Sequence, residues 1–216
     1  MKRNTWILII VVGVAFAAFF KWVYLPMAAR QDQISRMADD LYPTDKLRQP
    51  SATIPPFSMT DQNGQTITEQ DVKGHIHIAD FFFTSCDAIC PMMTSQLSRV
   101  QEAMGDERDY RILSFSLDSE NDSVPVLRSF ARKFGANDTV WHLLTGDKKA
   151  IYTLGAEGYK QSVLRDAEND INHSGRLILV DRNLQIRGFY NALDSLEVDM
   201  LINDLSYLLY KEEWNE

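Results

Sequence analysis

Ile76-His77-Ile78-Ala79-Asp80-Phe81-Phe82-Phe83-Thr84-Ser85-Cys86-Asp87-Ala88-Ile89-Cys90-Pro91 is the stretch on which the fold turns. Its first eight residues, rich in Ile and Phe and preceded by Gly74, have the pattern of a short central strand buried on both faces. After Pro91, residues Met93, Leu97, Val100 and Met104 recur at helical spacing, and proline suits the first turn of a helix. The passage therefore predicts strand, loop, helix, with both of the chain's cysteines at the junction. Four residues apart at a helix start, Cys86 and Cys90 are expected on one face with converging sulfurs. The exposed amides and positive dipole end of the helix favour thiolate over thiol there.

Downstream, residues 110–117 read as a second central strand. Leu127, Phe130, Ala131 and Phe134 place a helix after Ser123 and Pro125, ended by Gly135. Residues 141–144 predict a short strand and 148–154 a short helix. Residues 176–180 and 185–190 form an antiparallel hairpin across 181–183. A last helix starts at Asp194, with Glu197 completing a capping box and Val198, Leu201, Ile202, Leu205 and Leu208 as its buried face. Upstream, Asn63-Gly64 lies between the strand-like stretches 58–62 and 65–68. It signals a tight β-hairpin, in which both turn residues take positive φ. The order βαβα followed by ββα is that of an α/β thioredoxin-like fold, here with an added N-terminal β-hairpin, over residues 54–216.

The amino terminus has a different character. Lys2 and Arg3 precede an apolar run over residues 6–20, which resumes from Trp22 to Leu25 beyond Lys21. About 20 residues suffice for a single transmembrane helix, and Trp6, Trp22 and Tyr24 suit its interfaces. Residues 1–29 are therefore expected to be an uncleaved membrane anchor, because Met27-Ala28-Ala29 is a poor cleavage site. The very short tail ahead of the span puts the globular part on the periplasmic, non-cytoplasmic side of the cell inner membrane. Residues 30–53, polar and containing Pro43 and Pro50, read as a tether. A net charge of −8 and a pI near 5.0 argue against a nucleic acid partner, which would call for a clustered basic surface.

The chemistry-bearing residues are few. A disulfide between Cys86 and Cys90 would staple little that the helix does not already fix, and a closed zinc site would need two further ligands. His75 and His77 alternate along a strand and are expected to be exposed or at an edge, and His142, beside Trp141, to be packed. His173 lies in the polar stretch Asp170-Ile171-Asn172-His173-Ser174-Gly175 just ahead of a strand, in the kind of loop where function concentrates. Asp80 is either a strand-edge carboxylate paired with a nearby base or a functional acid. Met93 belongs to the helical core stripe, whereas Met92 is a candidate auxiliary thioether near the cysteines. Asp118 is either a loop cap or a hydrogen-bond partner near His173.

Residues 82–91 resemble the CxxxCP signature of Sco/SenC proteins, and Asn172-His173-Ser174 resembles their distal histidine motif. The likeness runs from about Ile54 to Tyr210 and includes Ser116-Leu117-Asp118 and the helix at Pro125. Two positions depart from the pattern: Ser85 stands where a histidine is often found, and Asp87 where a proline is common. The resemblance implies copper bound by Cys86, Cys90 and His173. It also implies a role in assembling the dinuclear copper centre of cytochrome c oxidase, with a copper-accepting oxidase subunit as partner. Two soft thiolates and an imidazole suit Cu(I), and also Cu(II) if other ligands join. The alternative is a membrane-anchored thiol-disulfide oxidoreductase with Cys86 and Cys90 as the redox pair. Asp80 sits where it resembles the buried acid of thioredoxins, which accepts the proton of the second cysteine. Against this reading, the spacing is CxxxC rather than CxxC. No proline follows Pro125 either, so the cis-proline that faces the thioredoxin site has no counterpart.

Overall fold

In chain order the elements are β1 (Ser58–Asp61), β2 (Thr66–Thr68), α1 (Glu69–Val72), β3 (Ile76–Phe82), α2 (Ile89–Met104), β4 (Tyr110–Ser116), α3 (Val124–Lys133) and β5 (Trp141–Thr145). There follow α4 (Lys148–Thr153), a π-helical turn (Leu154–Gly158), β6 (Leu164–Arg165), β7 (Ile171–Asn172), β8 (Arg176–Val180), β9 (Ile186–Asn191) and α5 (Ser195–Glu213). The computed structural model describes residues 52–107, 109–161, 164–165, 171–172 and 175–213, all within one unit, Arg48–Glu216. The expected transmembrane helix and tether, and His173 itself, lie outside the described residues. Among the described residues no helix is long and apolar enough to cross a membrane.

Seven strands form one sheet in the order β2-β1-β5-β4-β3-β8-β9, with β3, β4 and β5 parallel and the outer strands antiparallel. Parallel neighbours need crossovers, which α2 and α3 supply, so both helices start from the ends of the strands that precede them. The whole of β3 is buried, since β4 and β8 flank it and both its faces are covered. On one face Ala79 and Phe81 pack with Phe115, Phe57, Leu154 and Tyr159, the rings of Phe81 and Phe115 stacking at 5.2 Å. The other face meets the apolar sides of α2 (Met93, Leu97, Val100), α3 (Leu127, Phe130) and α5 (Val198, Leu201, Leu205). Gly158 lets the backbone approach Pro55 closely, as a Cβ there would stand 2.8 Å from the proline Cδ.

Several sequence expectations are corrected. His77 is fully buried, because a residue alternating on a central strand enters the second core layer rather than solvent. Its Nε2 lies 3.1 Å from the Tyr159 hydroxyl, its Nδ1 has no hydrogen-bond partner among the described residues, and burial pushes its pKa down to about 3. His75 precedes β3 and pairs with Asp109 at 2.7 Å. The β1–β2 connection uses four residues, with only Gly64 at positive φ. The Asp61 carboxyl accepts the Asn63 and Gln65 amides and so takes the place of a two-residue turn. The β8–β9 turn repeats this device with Asp181, Asn183 and Gln185, and its left-handed residue is Leu184, whose buried side chain offsets the strain. At α5, Glu197 reaches back to the Asn191 amide at 2.6 Å, and the capping bond of Asp194 goes to Leu196.

Candidate metal centre

The carboxyl ends of parallel strands are where open α/β sheets build their sites, since the helix N-termini gather there. Here β3 delivers residues 83–88 to that end and β4 delivers Leu117–Ser123. The antiparallel β8 begins there, opposite the far end of β3. Cys86 lies in the loop and Cys90 in the first turn of α2, so they do not share a helix face. Cys90 instead begins the buried stripe Cys90, Met93, Thr94, Leu97 and Val100. Neither is in a disulfide, and both are buried, Cys86 7% and Cys90 0% exposed.

The two sulfurs nevertheless face one locality. The Cys90 amide donates to Cys86 Sγ at 3.4 Å, and Ala88, the N-cap residue of α2, supplies no side-chain acceptor. Cys86 thus fills the role of a missing cap, its sulfur receiving an amide at the positive end of the helix. Cys90 lies in the opposite environment. Burial pushes its thiol pKa strongly up against a lowering hydrogen bond from the Phe83 backbone, and the neighbouring Cys86 and Asp80 add to the rise. The helix start does not act on the two cysteines alike: Cys86 Sγ receives an amide there, whereas burial opposes thiolate formation at Cys90.

Asp80 is not a strand-edge carboxylate paired with a base. It sits in the centre of β3 at 1% exposure and accepts the Ser114 hydroxyl at 2.5 Å, and no cation contacts it among the described residues. Ser114 in turn accepts the Trp141 indole N–H at 3.0 Å. Burial raises the Asp80 pKa to about 7, with the Ser114 bond pulling the other way. A carboxyl group poised there, on the strand that leads to the cysteines, can hold or release a proton at neutral pH.

Met92 is 52% exposed on the first turns of α2, whereas Met93 is buried in the core. Asp118 is a turn former: its carboxylate accepts the Asn121 side-chain amide at 3.0 and 2.9 Å, and its carbonyl accepts the Asn121 and Asp122 amides. The sequence reading missed Asp122, buried at 1%, which binds both Thr84 and Ser116. Thirty-eight residues separate it from Thr84, and no local spacing marks the pair. Among the described residues no group of three His, Cys, Asp or Glu could close a metal site. Two thiols in one locality could supply the soft part of a donor set, which further donors would have to complete.

The family model described as SCO1/SenC matches residues 45–209. A "SCO1 protein homolog" of Bacillus subtilis is 31% identical over 155 residues, covering 70% of this chain and 80% of the relative. The structure of BsSco is 29% identical with a TM-score of 0.67, covering 76% of this chain and 98% of that one. BsSco is described as a member of the Sco family of cytochrome c oxidase assembly proteins, in which a disulfide switch was identified. The structure of Bradyrhizobium japonicum ScoI, with copper bound, is 25% identical with a TM-score of 0.60 over 73% of this chain and 99% of that one.

Proposed function

The chain belongs to the SCO1/SenC family, and on that premise we propose that it binds copper through Cys86, Cys90 and His173. In this reading it serves assembly of the dinuclear copper site of cytochrome c oxidase, either delivering copper or maintaining the recipient's thiols. The observation that carries the proposal is the placement of both thiols at the β3–α2 junction, Cys86 Sγ accepting the Cys90 amide, in a chain with no other cysteine. Copper is cargo here, Cu(I) being the state that two thiolates and an imidazole suit best. Gly175, two residues after His173, leads into β8 at the end of the sheet where β3 presents Cys86. Loading requires both thiols to lose their protons, so affinity rises with pH and each ion bound releases protons. Anaerobic Cu(I) titration of the reduced chain against a competing chelator tests the ligand set. One ion per chain is expected, with His173→Ala binding more weakly yet melting at the wild-type temperature. Unchanged competition in that variant removes His173 from the site.

A second reading, thiol-disulfide exchange, is favoured by Asp80, a buried carboxyl group placed to take the Cys90 proton as a disulfide forms. Copper loading and thiol oxidation exclude each other, because each consumes both sulfurs. Fast turnover of generic disulfides, indifferent to His173→Ala and abolished by Asp80→Asn, would make oxidoreductase activity the primary function.

The apolar run in residues 6–25 supports a single membrane span with the domain on the periplasmic side of the inner membrane. The full chain is then expected to remain with membranes through high-salt and carbonate washes, and a chain starting at Arg30 to be released. Recovery of the full chain in the soluble fraction would rule the anchor out.

A further inference from the structure

We infer that Asp122 is a positioning residue for the copper site, its carboxyl group holding the base of the loop that carries Cys86. This rests on the proposed copper-binding function. Asp122 Oδ2 accepts the Thr84 amide at 3.0 Å and the Ser116 hydroxyl at 2.6 Å, while Oδ1 accepts the Thr84 hydroxyl. All three donors are neutral, and two belong to a single residue that stands two positions before Cys86. One buried carboxyl group therefore clamps the end of β4, through Ser116, to the first residues beyond β3.

The rest of the loop hangs from that clamp. The Leu117 amide donates to Phe82 O at 2.8 Å, which aligns the ends of β3 and β4. Beyond Thr84 the Cys86 amide donates to Phe83 O at 3.3 Å, and the Phe83 backbone also bonds to the Cys90 thiol. The Cys90 amide then closes on Cys86 Sγ. Without Asp122, the Thr84 amide and hydroxyl lose their acceptor, and part of the ordering of the loop shifts to the moment the metal binds. Groups that orient metal ligands without touching the metal commonly contribute about 10- to 100-fold to affinity.

The test uses the full reduced chain, with Cu(I) itself as the probe against a competing chelator. Amide hydrogen exchange of the metal-free chain is the second readout. Asp122→Ala removes both acceptor atoms, Thr84→Val removes only the hydroxyl at nearly constant volume, and Thr84→Ser keeps both donors. Expected are Cu(I) affinities about 10- to 100-fold weaker in Asp122→Ala, a smaller loss in Thr84→Val and wild-type affinity in Thr84→Ser. Faster exchange should be confined to residues 84–90, with the amides of β3 and β4 protected as before. Wild-type affinity in both Asp122→Ala and Thr84→Val overturns the inference. So does acceleration spread through β4 and α3, which marks a purely structural residue. If Asp122→Ala fails to fold, the Thr84 pair decides alone. Absence of Cu(I) uptake by the wild type defeats the copper reading itself, whereas the exchange pattern still shows whether Asp122 holds the loop.

Discussion

Cys90→Ala is expected to lose Cu(I) by about a few hundredfold or more while the domain stays folded. Thiolate and imidazole sites with four protein ligands bind zinc with about 10–16 kcal/mol, so one ligand accounts for roughly 3 kcal/mol, or more than a hundredfold. A low-coordinate site has fewer donors to share the loss, which pushes the effect upward. Cys90 is fully buried on the stripe of α2 that faces the sheet, and truncation to alanine leaves a cavity of one atom, costing about 1 kcal/mol. Cys86→Ala should lose as much affinity and, in addition, the acceptor for the Cys90 amide at an uncapped helix start, again about 1 kcal/mol. Chelator competition and thermal melting of the two variants separate these contributions. Wild-type Cu(I) retention by either one would show that the thiols do not hold the metal.

The second large effect is on stability. Asp80→Asn is expected to make the reduced, metal-free protein more stable at neutral pH, by up to about 3–4 kcal/mol. The folded-state pKa of Asp80 is raised to about 7 from its ordinary 3.8, so between these values the native state binds the proton more tightly than the unfolded chain. Stability from this group is therefore fully present below about pH 4 and lost as pH rises towards 7. The buried His77 acts in the opposite sense. With its pKa pushed down to about 3, it costs stability as pH falls below its ordinary value of 6.5. The two slopes partly cancel in the wild type, and asparagine at position 80 should leave that of His77 exposed. Urea midpoints at pH 4.5, 6 and 7.5 measure this. Parallel pH profiles for wild type and variant would mean that Asp80 is not held as a buried acid. A residue that weakens the fold at working pH is expected where function demands it.

How much of this was legible in the sequence follows from the range over which each signal acts. Residues 76–91 announce strand, loop and helix through local periodicity, and the two cysteines are found because there are only two. The burial of His77 depends on β8 and on Tyr159, 82 residues away, so a period-two pattern in 75–77 cannot distinguish core from edge. Asp80 shows the same limit. Its strand was legible, but its partner Ser114 arrives through parallel pairing with β4, and Trp141, which donates to Ser114, comes from β5. The contrast between Cys86 and Cys90 was hidden because helix-face arithmetic assumes both residues are helical, and α2 begins only at Ile89. Asp122 belongs to the same class of long-range contacts.

The way the chain enters the domain has a mechanical consequence. The Ile186 amide donates to Ala52 O, Thr53 bridges to Gln185, and the Ile54 amide donates to Leu184 O. This seam lies at the β8–β9 turn, beside Gly74, whose amide donates to Arg182 O just ahead of β3. Cys86 lies past the other end of β3, roughly 20 Å away at about 3.3 Å per residue. Anything that grips the chain ahead of Ala52 therefore holds the domain by its handle, with the thiol loop as the free tip. A pull on that handle loads the β9 edge and the Asp181 turn, leaving the bond between Cys86 and the Cys90 amide outside the line of force.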